Sequence, residues 1–192
     1  MLSVATGIFR LKDAYKEDNK DRRDHAKKLF QLCENYVPAQ NSIAKIEKSI
    51  GDDYYNQYKA MLPDAPSDIK AEIITHYTNA IIYAKFAADN NWVYAYNLLY
   101  TIITFPVVNT FYNELSKKTS YVTLAPLDLL RKSVNMKNAW AMDRLACELL
   151  DNKDRTNTDI TEAFALLNKA ANQNLSKAIR HLEYYKKHSI HQ

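Results

Sequence analysis

Glycine is almost missing from this chain: Gly7 and Gly51 are the only two among 192 residues, against an average near 7%. Dinucleotide-binding turns, phosphate loops and hairpin-rich β folds all need glycine for positive φ or close backbone approach, so none of them is expected. Cysteine is nearly as scarce. Cys33 and Cys147 lie far apart inside helical apolar patterns (Leu29, Cys33 and Val37; Leu145, Cys147 and Leu150), which predicts buried free thiols in a reducing compartment and neither a disulfide nor a nucleophile. A surplus of one charge is also absent. Twenty-six basic against 22 acidic residues leave +4, with the two signs intermixed, and a nucleic-acid partner is not expected. The longest apolar-leaning stretch, residues 92–108, is interrupted by Tyr94, Tyr96, Asn97, Thr101, Thr104 and Pro106, so no membrane span is predicted. The opening MLSVATGIFRLK has neither the basic n-region nor the full apolar h-region of a cleaved secretory signal. A cytoplasmic location is the expectation.

What remains is helical periodicity. An apolar fraction of 47% suffices for one sizeable core or two small ones. Residues 8–37 carry dense mixed charge before Ala26, Leu29, Phe30, Cys33 and Val37, as a solvated helix face does. Ile43, Ile46, Ile50, Tyr54, Tyr58 and Met61 follow a 3.6-residue period, predicting a helix over residues 39–62 or two short ones split at Gly51 and Asp52. Pro63 and Pro66 mark a linker, with Ser67 as a candidate N-cap. The expected domains are therefore a charged N-terminal helical hairpin over residues 1–65 and a helical-hairpin region over 66–192, with an inserted helix near 107–118. Further helices are predicted at about 67–89, from 92 to Pro106, at 126–136, at 138–150, from a capping-box-like start at Asp159 and Glu162, and at 175–188. The last is expected to pack through Leu175, Ala178, Ile179 and Leu182.

Three of the predicted turns align without gaps: KFAADNNWVYAYNLLY from Lys85, RKSVNMKNAWAMDRLA from Arg131 and NKAANQNLSKAIRHLE from Asn168. Ala87 and Ala88 match Ser133 and Val134 and then Ala170 and Ala171, while Ala95, Ala141 and Ala178 fall in register. Small residues at both places let two antiparallel helices approach closely. Asn90, Asn91, Gln173 and Asn174 stand where helices end, asparagine being the residue that best replaces glycine there. Residues 67–185 resemble the Sel-one-like repeat, a relative of the tetratricopeptide repeat. Asp159, Ala163, Lys169, Ala170, Ala171 and Ala178 carry the resemblance in the third copy, and Ala80, Ala87, Ala88 and Ala95 in the first. The second copy departs from it at Pro126, Ser133 and Val134.

The resemblance implies an all-α solenoid of stacked hairpins, and because a solenoid end exposes apolar surface, the charged N-terminal hairpin is expected to cap it. It also implies an adaptor, scaffold or effector-type function in which another protein is bound along a groove, often in bacterial signalling or in a host cell to which the protein is delivered. No catalytic residue, cofactor or metal comes with it. Fourteen tyrosines are the one compositional excess. Tyr83, Trp92, Tyr94, Tyr96 and Tyr100, clustered in the first copy, are the candidate partner-binding residues, because aromatic side chains offer large contact area at low entropic cost. Packing at a half-buried helix seam is the competing reading of the same residues. The five histidines form no His-x-x-x-His pair, which favours structural roles, and Asp52 with Asp53 suits a helix start. An enzyme assembling Cys, His or carboxylate groups from distant segments is the alternative functional class.

Overall fold

The computed structural model describes residues 20–33 and 36–189, so the expected charged helix before residue 20 lies outside the described residues. Ten α-helices and one 3-10 helix are present among them, with no strand. The predicted all-α class is therefore observed. No described helix is long and apolar enough to cross a membrane. The chain divides into two compact units at Leu124 and Ala125.

The first unit contains α1 (Lys20–Gln31), α2 (Val37–Ala60), α3 (Ser67–Asp89), α4 (Val93–Ile103), the short α5 (Pro106–Thr110) and α6 (Tyr112–Lys118), and a 3-10 turn at Ser120–Thr123. Helices α2 and α3 form its central antiparallel pair. Residues 63–66, expected to separate two domains, are instead the turn joining these two helices, and the division falls some sixty residues later. Pro66, not Ser67, holds the N-cap position of α3. Prolines set the starts of α2 and α5, where the missing N–H has no intrahelical role. The single helix expected near 107–118 forms as α5 and α6, broken at Phe111.

Helix α2 runs through Gly51 unbroken. A Cβ built on Gly51 would lie 2.7 Å from Tyr77 Cδ2 and 2.8 Å from its Cε2, so glycine is present for the close approach of a ring and not to end a helix. Fully buried Tyr77 packs its ring against α2 at Gly51 and donates its hydroxyl to Asp52. Asp52 and Asp53 are therefore mid-helix residues with partners, not helix-start residues: Asp52 also takes Lys48 Nζ at 2.7 Å, and Asp53 takes Arg23 Nη2 at 2.6 Å. One turn earlier, Glu47 is entirely buried. Its carboxylate receives Lys27 Nζ from α1 at 2.5 Å and His76 Nδ1 from α3 at 2.6 Å. Burial alone would raise the Glu47 carboxyl, but the hydrogen bonds from His76 and Lys27 outweigh it and hold the group below its ordinary value of 4.5.

The second unit contains α7 (Pro126–Asn135), α8 (Ala139–Asp151), α9 (Asn157–Asn172) and α10 (Ser176–Ser189), two hairpins with α8 packed against both helices of the second. Asn138 Oδ1 caps α8 by accepting from Ala141 N at 3.0 Å. A capping box does open α9, but its members are Thr156 and Asp159. Glu162, expected to complete the box, instead pairs with Arg131 Nη1 of α7 at 2.6 Å. Along α10, Ala178 is buried as expected while Ile179 is exposed. The helix is rotated so that His181, not Ile179, meets α8.

The three aligned turns are built alike. Asn91, Lys137 and Asn174 adopt φ of 59°, 62° and 61°. Their backbone N–H groups donate to Ala88 O, Val134 O and Ala171 O at 2.9, 2.8 and 2.8 Å. The next residues, Trp92, Asn138 and Leu175, donate to Ala87, Ser133 and Ala170 at 3.0, 3.2 and 3.3 Å. Each hairpin then closes over small side chains: Ala87, Ser133 and Ala170 on the incoming helix and Ala95, Ala141 and Ala178 on the outgoing one are all fully buried. A left-handed residue at the helix end reverses the chain, and small residues beyond it set the interhelical spacing.

Replacing Gly51 with alanine gains about 1 kcal/mol of helix propensity but drives a methyl group into the buried Tyr77 ring, at a cost of about 1–3 kcal/mol. Gly51→Ala is expected to be less stable than wild type in urea denaturation; a stabilised variant would mean that the ring moves aside freely. Glu47→Gln is expected to lose about 3 kcal/mol at pH 5.5, because Lys27 and His76 lose their buried counter-charge. The folded-state carboxyl lies below its unfolded value, so this contribution is complete above about pH 4.5 and fades as pH falls further. Trp92 fluorescence in a Trp140→Phe background measures it, and a wild-type advantage that stays constant down to pH 3 would contradict the assignment.

Candidate functional site

The aromatic residues singled out in the first copy divide by environment. Tyr100 is buried in the core of the first unit at 3% exposure, so its side chain belongs to packing and is closed to a partner. Tyr83 is half-buried against the cluster formed by Phe30, Ile43, Ile46 and Ile50. Tyr96 is half-buried on α4. Only Tyr94, 55% exposed in the first turn of α4, faces water openly. Its ring lies 5.7 Å from that of Trp92 at an interplanar angle of 59°. Half-buried Trp92 keeps its Nε1–H shielded from water and without an acceptor, a polar cost held within the fold.

Two further apolar side chains of this hairpin escaped the sequence reading. Ile82 and Phe86 are exposed on α3 four residues apart, which places them on one face. Between them Lys85 pairs with Asp89 at 2.5 Å and lies 5.0 Å over the Tyr121 ring of the 3-10 turn. An apolar stripe pointing to solvent could have been read from the α3 pattern, since Ile73, Tyr77, Ala80, Ala84 and Ala87 already fill the inward face.

The second unit holds a different kind of site. Helix α8 places Asp143 and Cys147 on one face at i,i+4, and His181 of α10 stands opposite them. His181 Nδ1 is 2.8 Å from Asp143 Oδ1 and 3.1 Å from Cys147 Sγ. Asp143 is 1% exposed and Cys147 7%, and both cysteines of the chain are free. The seam continues one turn on, where Tyr185 donates to Asp151 Oδ1 at 2.7 Å and sets its ring edge to face with His181. Burial and the Asp151 hydrogen bond push the Tyr185 phenol well above its usual range.

This convergence matches the general form of the enzyme alternative, but its geometry does not fit nucleophilic catalysis. In a nucleophile–His–acid relay the acid and the nucleophile use opposite ring nitrogens. Here Asp143 and Cys147 meet the same Nδ1. Burial, followed by the Asp143 charge, pushes the Cys147 thiol up to about 11, whereas a working cysteine nucleophile needs its thiol lowered. What the three groups offer instead is a compact set of donor atoms, all within 4.8 Å of one another.

Sequence reading did not join these residues. The buried free state of Cys147 was legible, but His181 is 34 residues away, and only the second hairpin's fold brings it across. Elsewhere, His76 serves the Glu47 cluster, His25 is exposed, and His188 donates to Tyr184 O within its own helix. Comparison with known proteins assigns no relative: no family model matches the chain, and no curated protein or solved structure matches it.

In a Cys33→Ser background, Cys147 should react with iodoacetamide at pH 7.5 about 100-fold more slowly in the folded protein than in urea. That factor follows from a thiol raised from 9.0 to about 11. Equal rates in the two states would show an activated thiol and reopen the nucleophile reading.

Proposed function

We propose that the chain is a protein-interaction module of the Sel-like helical-hairpin type, which holds a partner protein on the first unit around the turn between α3 and α4. The observation that carries this reading is the exposure of Ile82, Phe86 and Tyr94 on the two helices flanking that turn. Large apolar side chains held on well-formed helices present surface at little entropic cost on binding, and they are the residue types from which interface hot spots are drawn. Trp92, packed against Tyr94, supplies a rigid support for the exposed ring. Lys85, Asp89 and Lys85's neighbour Tyr121 give the apolar residues a polar surround, the usual arrangement of an interface rim.

Tyr94 and Phe86 can be changed without opening the core, so a Phe86→Ser/Tyr94→Ser variant should keep wild-type helicity and melting. Used as bait beside the wild type in lysate from the native cell, this variant is expected to lose at least one protein that the wild type retains, with affinity falling by about tenfold or more for a pair of hot-spot residues. An identical set of retained proteins from both baits would remove the binding role from this surface.

A further inference from the structure

The binding surface of the first unit leaves Asp143, Cys147 and His181 without a role. A buried ion pair would account for His181 Nδ1 lying 2.8 Å from Asp143 Oδ1, but it does not account for Cys147 Sγ lying 3.1 Å from the same nitrogen. One ring nitrogen carries either one proton or one lone pair, so it cannot serve two close partners fully. Three donor atoms gathered within 4.8 Å of one another are what a cation satisfies together. We propose that Asp143, Cys147 and His181 form a binding site for a divalent transition-metal ion of the zinc class.

The chemistry of the set selects the ion. Thiolate with imidazole favours zinc, cobalt and their neighbours, whereas magnesium and calcium prefer sites made wholly of oxygen. Bonds of about 2.0–2.3 Å place tetrahedral ligand atoms about 3.3–3.6 Å apart. His181 Nδ1 therefore needs to draw back by about 0.5 Å from Asp143 Oδ1 and Cys147 Sγ, a movement open to His181, which is the most exposed of the three. Two ligands at i,i+4 on α8 and the third on α10 rest on regular helices of one unit, a more rigid support than loops provide. Three protein ligands leave a fourth position for water or for a group brought by another molecule. On binding, the metal–sulfur bond replaces the S–H bond, and the thiol proton passes to solvent.

Co²⁺ titration of the reduced, chelator-stripped full chain tests this site. One Co²⁺ per chain is expected, with a thiolate-to-cobalt charge-transfer band and the visible bands of four-coordinate cobalt, both displaced by Zn²⁺. Cys147→Ser should abolish the charge-transfer band and His181→Ala should weaken binding by about tenfold or more, while Cys33→Ser and His188→Ala leave both features intact. Circular dichroism establishes that each variant is folded; should Cys147→Ser not fold, the wild-type spectrum and His181→Ala decide. A folded wild type without the bands, or bands that survive the loss of Cys147 or His181, would overturn the proposal. The site lies in the second unit, so its failure leaves the binding surface of the first unit untouched.

Discussion

The first unit depends on one buried carboxylate. Glu47 sits in the middle of α2 with no exposure to water, where an unpaired charge would cost several kcal/mol. Lys27 from α1 and His76 from α3 supply its partners, so three helices are fixed by the need to neutralise a single group. Losing α1 or α3 would remove one of the two partners of this charge. The neighbouring contacts follow the same register: Arg23 of α1 reaches Ser49 and Asp53, and Tyr77 of α3 reaches Asp52 across Gly51. Apolar burial around Phe30, Ile43 and Ile46 drives the helices together; the polar contacts decide which rotation about the helix axes is accepted.

The second unit is organised by a different constraint, close approach through small side chains. Ser133, Ala141, Ala170 and Ala178 are fully buried at the places where helices meet, and the left-handed residues Lys137 and Asn174 reverse the chain just before the outgoing helices. The first unit contains the same device at Ala87, Asn91 and Ala95. One local solution thus appears in both units. Specific chemistry is added where the copies differ. In the register that matches Ala95 with Ala141, Asp143 and Cys147 stand at the positions of Asn97 and Thr101, so the same helical face carries a hydrogen bond within its own helix in one copy and a polar seam to another helix in the other.

That seam and the aromatic turn are contrasting environments. Around Tyr94 the surface is apolar and open, suited to burial against another protein. Between α8 and α10 the donor atoms are concealed and directional. Burial and the Asp143 charge hold the Cys147 thiol protonated, which removes it from nucleophilic chemistry at neutral pH. A dication, carrying its own charge into the site, reverses that balance by displacing the proton.

Much of the fold was legible because its signals are local. The 3.6-residue periodicity set the helix α3 at Ser67–Asp89, and asparagine at residue 91 marked a left-handed turn that the structure contains. In-register alanines identified the close contacts of each hairpin. Where local rules misled, a partner distant in sequence had intervened. Gly51 is a helix breaker by propensity, yet it serves the Tyr77 ring; Asp52 and Asp53 suit a helix start, yet they answer Lys48, Tyr77 and Arg23. The sequence by itself determined the helices, their turns and the small-residue seams, since propensity and periodicity act over a few neighbouring residues. Only the tertiary structure decided that Tyr100 is closed to solvent, that Ile82 and Phe86 face it, and that Asp143, Cys147 and His181 meet. Those outcomes depend on the rotation of whole helices against one another, which is a property of the packed chain.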